Sequence, residues 1–230
     1  MAPSVHRLHL GTVTLSAQFN PLTNVDARIE VYAYLIVAES HILLVDTGVG
    51  EGNAYIDQTF EPRRAAVAQE LARFGVSTSD VSVLINSHLH FDHCGNNRSF
   101  PEAEVLVQAE ELSIARTTRY TVNDWFDYDG ARINAVSGDL EITRGIRLLS
   151  TPGHTPGHQS VCVDTDGGTI LIAAQAAFTA HEYERGGDPA TQAHEGMEAA
   201  YVDSIVRLKS IPASEVYFSH DDRGLSSDSY

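Results

Sequence analysis

Apolar and polar positions alternate over residues 5–19, VHRLHLGTVTLSAQF, which predicts a β-hairpin turning near Gly11. The runs 32–38 (YAYLIVA) and 41–48 (HILLVDTG) predict two more strands joined by the polar turn Glu39-Ser40. From 62 to 74 the pattern changes period: Ala66, Val67, Leu71 and Phe74 recur at helical spacing, with Pro62 suited to the first turn and Gly75 to the end. Strands at 81–86 and 104–108 follow, then a short helix from about Glu110.

The segment 117–130, TTRYTVNDWFDYDG, breaks the periodicity and gathers the single Trp with Tyr120, Phe126 and Tyr128. Such rings serve either as a pocket wall or as pins holding the loop to the core, and pinning is the plainer expectation. Strands then resume at 131–137, 139–143, 146–150, 158–164 and 169–173. The turn signals Ser137-Gly138-Asp139, Arg144-Gly145 and Asp166-Gly167-Gly168 predict hairpins between them. A helix over 192–210 and a last strand at 216–218 close the series. The chain therefore divides into two similar sets, 1–116 and 131–230, joined by loop 117–130 within one domain of 230 residues.

The candidate chemistry sits where strands end. Residues 83–97, VLINSHLHFDHCGNN, place His88, His90, Asp92 and His93 just after a buried strand. Imidazole and carboxylate ligands at this spacing suit zinc first, with iron, manganese or cobalt as alternatives. Two later strand ends bring His154, in the rigid turn TPGHTPGH, and His220. Together they supply three ligands for each of two ions: His88, His90 and His154 on one, Asp92, His93 and His220 on the other. Asp46 reads equally as a turn cap and as a carboxylate orienting a metal-binding His. Asp221 reads equally as a cap and as an orienter of His220. Cys94, beside the cluster, reads as a small buried hydrophobe.

Charge narrows the partners. A net charge of −16, from 31 acidic and 15 basic residues, argues against a nucleic-acid backbone or an anionic membrane and leaves a small-molecule substrate. No secretory-type start and no long apolar span are present, so a cytoplasmic location is expected. Two cysteines are too few for a disulfide framework. A homodimer is left open.

HLHFDH, TPGHTPGH and the late His220 resemble the metallo-β-lactamase superfamily, and HFDHCG, TPGHTPGHQS and VYFSHD are most similar to its N-acyl-homoserine lactonase branch. The resemblance runs from Asp46 to His220. It implies an α/β fold, a four-layer αβ/βα sandwich of two mostly antiparallel or mixed sheets with helices outside. It also implies one or two zinc ions on the six ligands above, and hydrolysis of a small lactone or related ester by metal-bound hydroxide. Asp92 would be the catalytic carboxylate as well as a ligand. Two positions depart from the family pattern: Gln175 stands where the family has an Asp bridging the ions, and Phe178, a candidate substrate contact, where the lactonases have a Tyr. Tyr183 or His181 would have to replace that hydroxyl. A thioesterase or other superfamily hydrolase, a biosynthetic enzyme, and a catalytically degenerate metal- or ligand-binding domain are the competing expectations.

Overall fold

The computed structural model describes residues 2–17, 25–117 and 121–226. Its thirteen described strands form two sheets. The first contains β1 (Ser4–Leu15), β2 (Ala27–Val37), β3 (Ile42–Val45), β4 (Arg63–Arg64), β5 (Val83–Ile85), β6 (Glu104–Gln108) and β7 (Ile133–Val136), in the spatial order β4-β1-β2-β3-β5-β6-β7. The second contains β8 (Leu140–Thr143), β9 (Ile146–Ser150), β10 (Gln159–Thr165), β11 (Gly168–Ala174), β12 (Glu215–Phe218) and β13 (Leu225–Ser226), in the order β13-β12-β11-β10-β9-β8. Both are mixed. β3, β5, β6 and β7 run parallel, as do β11 and β12, and the remaining ladders are antiparallel.

The sheets face one another through a core to which both contribute. Tyr34, Ile36, Leu43, Val45, Ile85 and Leu106 of the first meet Ile146, Leu148, Val161, Val163 and Ile172 of the second. Each such side chain stabilises the fold by about 1.5–3 kcal/mol relative to exposure. The buried Tyr34 hydroxyl donates to the Phe218 carbonyl at 2.6 Å, and Tyr32 N–H donates to Ser219 O at 2.9 Å, tying the sheets together beside His220. Helices cover the outer faces. α1 (Ala54–Phe60) and α2 (Val67–Ala72) pack on the first sheet through Ile56, Phe60, Val67 and Leu71. α5 (Ala180–Glu184) and α7 (Glu198–Lys209) pack on the second through Tyr183, Tyr201, Ile205 and Leu208. This is the four-layer αβ/βα sandwich that the sequence implies. α3 (Ala109–Thr117), α4 (Asn123–Phe126) and α6 (Pro189–Gln192) lie in the connections.

Several local expectations are corrected. Residues 4–15 form one strand, not a hairpin: Gly11 sits at a bulge with φ +119°, where a Cβ would meet Arg63 O at 1.9 Å. Its lack of a side chain admits β4 as a neighbour and does not reverse the chain. That neighbour also shortens the helix expected over 62–74, because Arg63 and Arg64 pair with Gly11 and Thr12 and leave only Val67–Ala72 helical. α1, capped by the Asn53 side chain accepting from Ile56 N–H, was not foreseen. The helix expected from 192 begins at Glu198, after α6 and a positive-φ Gly196.

Ser137-Gly138-Asp139 does not close a hairpin either. β7 joins β6 in the first sheet and β8 joins β9 in the second, so the chain changes sheets there. The Gln108 amide holds that crossing, donating to Gly138 O at 2.9 Å and accepting from Gly138 N–H at 3.0 Å. In the segment 117–130, Trp125 and Phe126 are buried and the Tyr128 hydroxyl donates to Asn97 O. These rings pin the loop. Tyr120 lies outside the described residues.

Candidate metal centre

The parallel strands β3 and β5 end side by side, and the loops leaving them build the floor of the site, as is usual at the carboxyl ends of parallel strands. After β3 the chain turns at Asp46, whose φ of +63° is uncommon for a residue with a side chain. That turn aims the carboxylate back across β5. It accepts from Ser87 N–H at 2.8 Å and Ser87 Oγ at 2.7 Å, and it lies 2.8 Å from His93 Nδ1. Of the two roles weighed for Asp46, its carboxylate contacts bear out the orienting of His93. Gly95 lets the two loops touch: its N–H donates to Gly48 O at 2.8 Å, and a Cβ on it would meet Gly50 N at 1.9 Å.

Two groups of ligand-type atoms result, each drawn together within 4.8 Å. In the first, His88 Nε2 and His154 Nε2 lie 2.9 and 3.1 Å from His90 Nδ1. The other nitrogen of His154 faces the Gln192 carbonyl at 3.1 Å, and that of His88 faces Ser87 Oγ at 3.1 Å. A carbonyl only accepts, so His154 carries its proton on Nδ1 and turns a lone pair inward. Burial, and then the neighbouring imidazoles, hold all three histidines well below the ordinary pKa. Three neutral rings with convergent nitrogens fit a divalent cation.

The second group is built differently. Asp92 carboxylate oxygens lie 3.8 Å from His93 Nε2 and 3.7 Å from His220 Nε2, and all three residues are buried. Between the two imidazoles sits the Gln175 amide, drawn with Oε1 at 3.1 Å from each Nε2. Burial works against the Asp92 carboxylate, but His93, His220 and His90 outweigh it and hold its pKa below the usual value. Burial likewise lowers His93, and the Asp46 and Asp92 carboxylates reverse that to leave it raised. His220 stays lowered by burial, with Asp92 opposing. Its Nδ1 faces Glu30 O at 2.8 Å, so the Glu30 carbonyl orients it, whereas Asp221 accepts from Ala180 N–H at the start of α5.

Two residues that sequence reasoning passed over hold these loops in place. Glu111, fully buried on α3, accepts from Leu89 N–H at 2.8 Å, from Thr155 Oγ1 at 2.6 Å and from Gly157 N–H at 3.2 Å. It thereby ties the chain between His88 and His90 to the turn carrying His154. Gly157 allows the approach, since a Cβ there would meet Glu111 N at 2.3 Å. Ser87 links Asp46 to both His88 and His93. The only sequence signal for Glu111 was an acidic residue at a helix start, which ordinarily means a favourable dipole contact. His158 hydrogen-bonds within its own turn to Thr151 and accepts from Gln175 N–H at 3.2 Å. Cys94 is buried, its thiol pushed up to about 12 by burial, and it belongs to neither group.

Above the two groups lies a cavity of about 480 Å³. His90, Asp92, His154, Gln175 and His220 line its floor, and Leu15, Ile29, Ile56, Phe60, Phe91 and Val122 supply apolar walls. Phe178 stacks on His220 with ring centroids 4.7 Å apart and also lines it. Neither proposed substitute for the missing hydroxyl reaches this cavity. Tyr183 is buried against Phe218, and His181 is exposed beside a separate hollow between α5 and α6.

Residues 28–220 match the metallo-beta-lactamase superfamily, and the chain belongs to that family. It is 32% identical over 210 residues to an N-acyl homoserine lactonase of Bacillus cereus, spanning 84% of this chain and 82% of that one. It is 34% identical over 178 residues to the lactonase AttM of Azorhizobium caulinodans, covering 67% and 63%. Among solved structures, a quorum-quenching N-acyl homoserine lactone hydrolase superimposes with a TM-score of 0.83 at 27% identity, covering 96% of this chain and 93% of that one. Another such hydrolase, with N-hexanoyl-L-homoserine at its catalytic metal centre, superimposes at 0.82 with 26% identity over 96% and 94%.

Proposed function

We propose that this chain is a metal-dependent hydrolase that opens a small lactone of the N-acyl-homoserine-lactone type. The observation that carries it is the apolar cavity whose floor is the imidazole and carboxylate cluster, in a chain about a third identical to lactonases. The volume suits a small acylated ring, being of the size that commonly encloses such ligands. His88, His90 and His154 would hold a divalent ion, zinc first and iron, manganese or cobalt otherwise. Bound there, the ion would lower the pKa of a water toward neutrality and polarise the substrate carbonyl.

The rest falls to side chains on the page. Asp92, ionised and at the cavity floor, is placed to take a proton on a carboxylate oxygen and return it to the ring oxygen that leaves as the lactone opens. The walls hold the acyl chain and exclude water around it. Phe178 presents a ring face and no hydroxyl, so the developing oxyanion gains no phenol donor, a loss that commonly costs about a hundredfold or more in rate.

The same proposal takes residues 1–230 as one domain, because the core between the sheets draws on both halves of the chain. It places the protein in the cytoplasm on the strength of two buried, free cysteines, Cys94 and Cys162. Among the described residues no helix is long and apolar enough to cross a membrane. The test is to incubate zinc-loaded protein with N-hexanoyl-homoserine lactone and follow ring opening by mass gain of one water, with acyl thioesters and phosphoesters in parallel. Lactone opening that a chelator abolishes is expected. Turnover of thioesters or phosphoesters with every lactone left intact would refute the substrate.

A further inference from the structure

We infer that the Gln175 side chain occupies the place of a second metal ion, its amide NH2 donating to His93 Nε2 and to His220 Nε2, so that the chain holds a single ion on His88, His90 and His154. This rests on the metal-dependent reading above but concerns how many ions are bound. The second group does not fit a cation in the way the first does, and the misfit lies in one side chain.

The outer nitrogens of both rings face acceptors, and the Ser87 hydroxyl, 3.3 Å from His93 Nδ1, gives its proton to the Asp46 carboxylate at 2.7 Å. His93 Nδ1 lies 2.8 Å from the Asp46 carboxylate, and His220 Nδ1 lies 2.8 Å from the Glu30 carbonyl. In a neutral ring the proton must then sit on Nδ1, which leaves a lone pair on Nε2. Both lone pairs point at the Gln175 amide, 3.1 Å away. An oxygen at that point would confront two lone pairs in a buried, low-dielectric setting. A charged His93 donating to Gln175 Oε1 does not solve this, because His220 still turns its lone pair on the same oxygen.

Turning the amide by 180° resolves both contacts at once. Amide oxygen and nitrogen have nearly the same shape, so the partners decide which atom sits where. An NH2 group offers two protons on one atom, one for each imidazole. These two N–H dipoles do what a cation would do, satisfying two inward-facing lone pairs. Gln175 is 7% exposed, and its backbone N–H, donating to His158 Nε2 at 3.2 Å, anchors the main chain from which the amide reaches the two imidazoles. Asp92 is then the one carboxylate left to attract a second dication. In the first group the three nitrogens converge on one another, His88 and His154 Nε2 lying 2.9 and 3.1 Å from His90 Nδ1.

Metal content tests the inference independently of turnover. Chelator-stripped wild-type protein is reloaded with Zn²⁺, desalted, and assayed for zinc per chain by elemental analysis. One retained equivalent is expected, with any second bound about 100-fold more weakly. Gln175→Asp, which restores a carboxylate and removes the donor, should retain two. Two tightly held equivalents in the wild type would overturn the inference. Should Gln175→Asp fail to fold, long-range 1H–15N spectra of the zinc-loaded wild type decide. Unprotonated, hydrogen-bonded Nε2 signals for His93 and His220, with couplings to the Gln175 amide protons, support it. Protonated or zinc-shifted Nε2 signals refute it. A failed lactonase assay would leave the zinc count standing.

Discussion

His88, His90 and His154 differ from His93 and His220 less in residue type than in what stands at the centre of each group. Both sets are buried or half-buried imidazoles, and in both an outer nitrogen is anchored by an acceptor, Gln192 O for His154 and Glu30 O for His220. In the first set the inner nitrogens of His88 and His154 converge on His90 Nδ1. In the second they face a buried amide, 3.1 Å from each. A set of metal-ligand residues is thus not yet a metal site. The anchoring hydrogen bonds fix where the lone pairs point, and whatever lies at their crossing decides whether a cation is needed there.

The largest effect should follow removal of a ligand from the first group. His154→Ala should lose zinc on desalting and lower kcat/KM by at least about 1000-fold, near 4 kcal/mol of transition-state stabilisation. Retained zinc with retained turnover would end the distinction between the groups. Next comes the carboxylate that ties the loops of the first group together. Glu111→Gln keeps the shape but replaces one accepting oxygen with a donor, which faces either the Leu89 N–H or the Thr155 hydroxyl and Gly157 N–H. A drop of about 10–100-fold in zinc affinity and of about 1–3 kcal/mol in stability is expected. Zinc titration and urea denaturation check the two separately.

The ligand-type residues and the groups that hold them were unequally visible before the fold was known, and the reason is range along the chain. His88, His90, Asp92 and His93 crowd one strand end, so local spacing alone marks them. Glu111 acts by reaching 22 residues back to Leu89 and 44 forward to Thr155, and nothing near it in sequence marks that role. The Glu30 carbonyl reaches His220 from 190 residues away. The same limit explains the misread turns. Gly11 and Gly138 look like hairpin glycines, but one sits at a bulge that admits β4 and the other at a change of sheets. Period-two alternation shows that a segment is a strand without showing which sheet receives it. The αβ/βα layering survived these errors because it depends on the order and faces of elements more than on their exact ends.

Burial lowers the rings of the first group, His158 and His220, whereas the Asp46 and Asp92 carboxylates raise His93, and the lowered set gives a pH signature. His158, which accepts from Gln175 N–H, has its pKa pushed down to about 3, chiefly by burial and then by His93. In the unfolded chain it would titrate near its ordinary value of about 6.5. As pH falls below that value the unfolded state binds the proton first, so stability is full above pH 6.5 and declines steadily toward pH 3. At about 1.4 kcal/mol per pH unit the loss from His158 alone is about 2 kcal/mol at pH 5. His88, His90 and His154 are shifted the same way and steepen the slope in the metal-free protein. Denaturation of chelator-treated protein at pH 7 and pH 5 should show the decline, and His158→Gln should make it shallower by about one proton.

The smallest effect gives the sharpest comparison, because it concerns a residue that looks like a ligand. His220→Ala removes one acceptor for the Gln175 amide and the ring on which Phe178 stacks, but no nitrogen of the first group. Zinc content should therefore match the wild type. The lost ring opens the cavity floor beside Asp92 and frees the Gln175 head, so substrate placement should suffer by about tenfold in kcat/KM, or about 1.4 kcal/mol. Elemental analysis beside His154→Ala is the decisive pairing. If both variants lose zinc alike, His220 is as much a ligand as His154, and the amide between His93 and His220 is no barrier to an ion. If only His154→Ala loses it, the second group has become part of the substrate pocket, built from ligand-type residues that hold a glutamine.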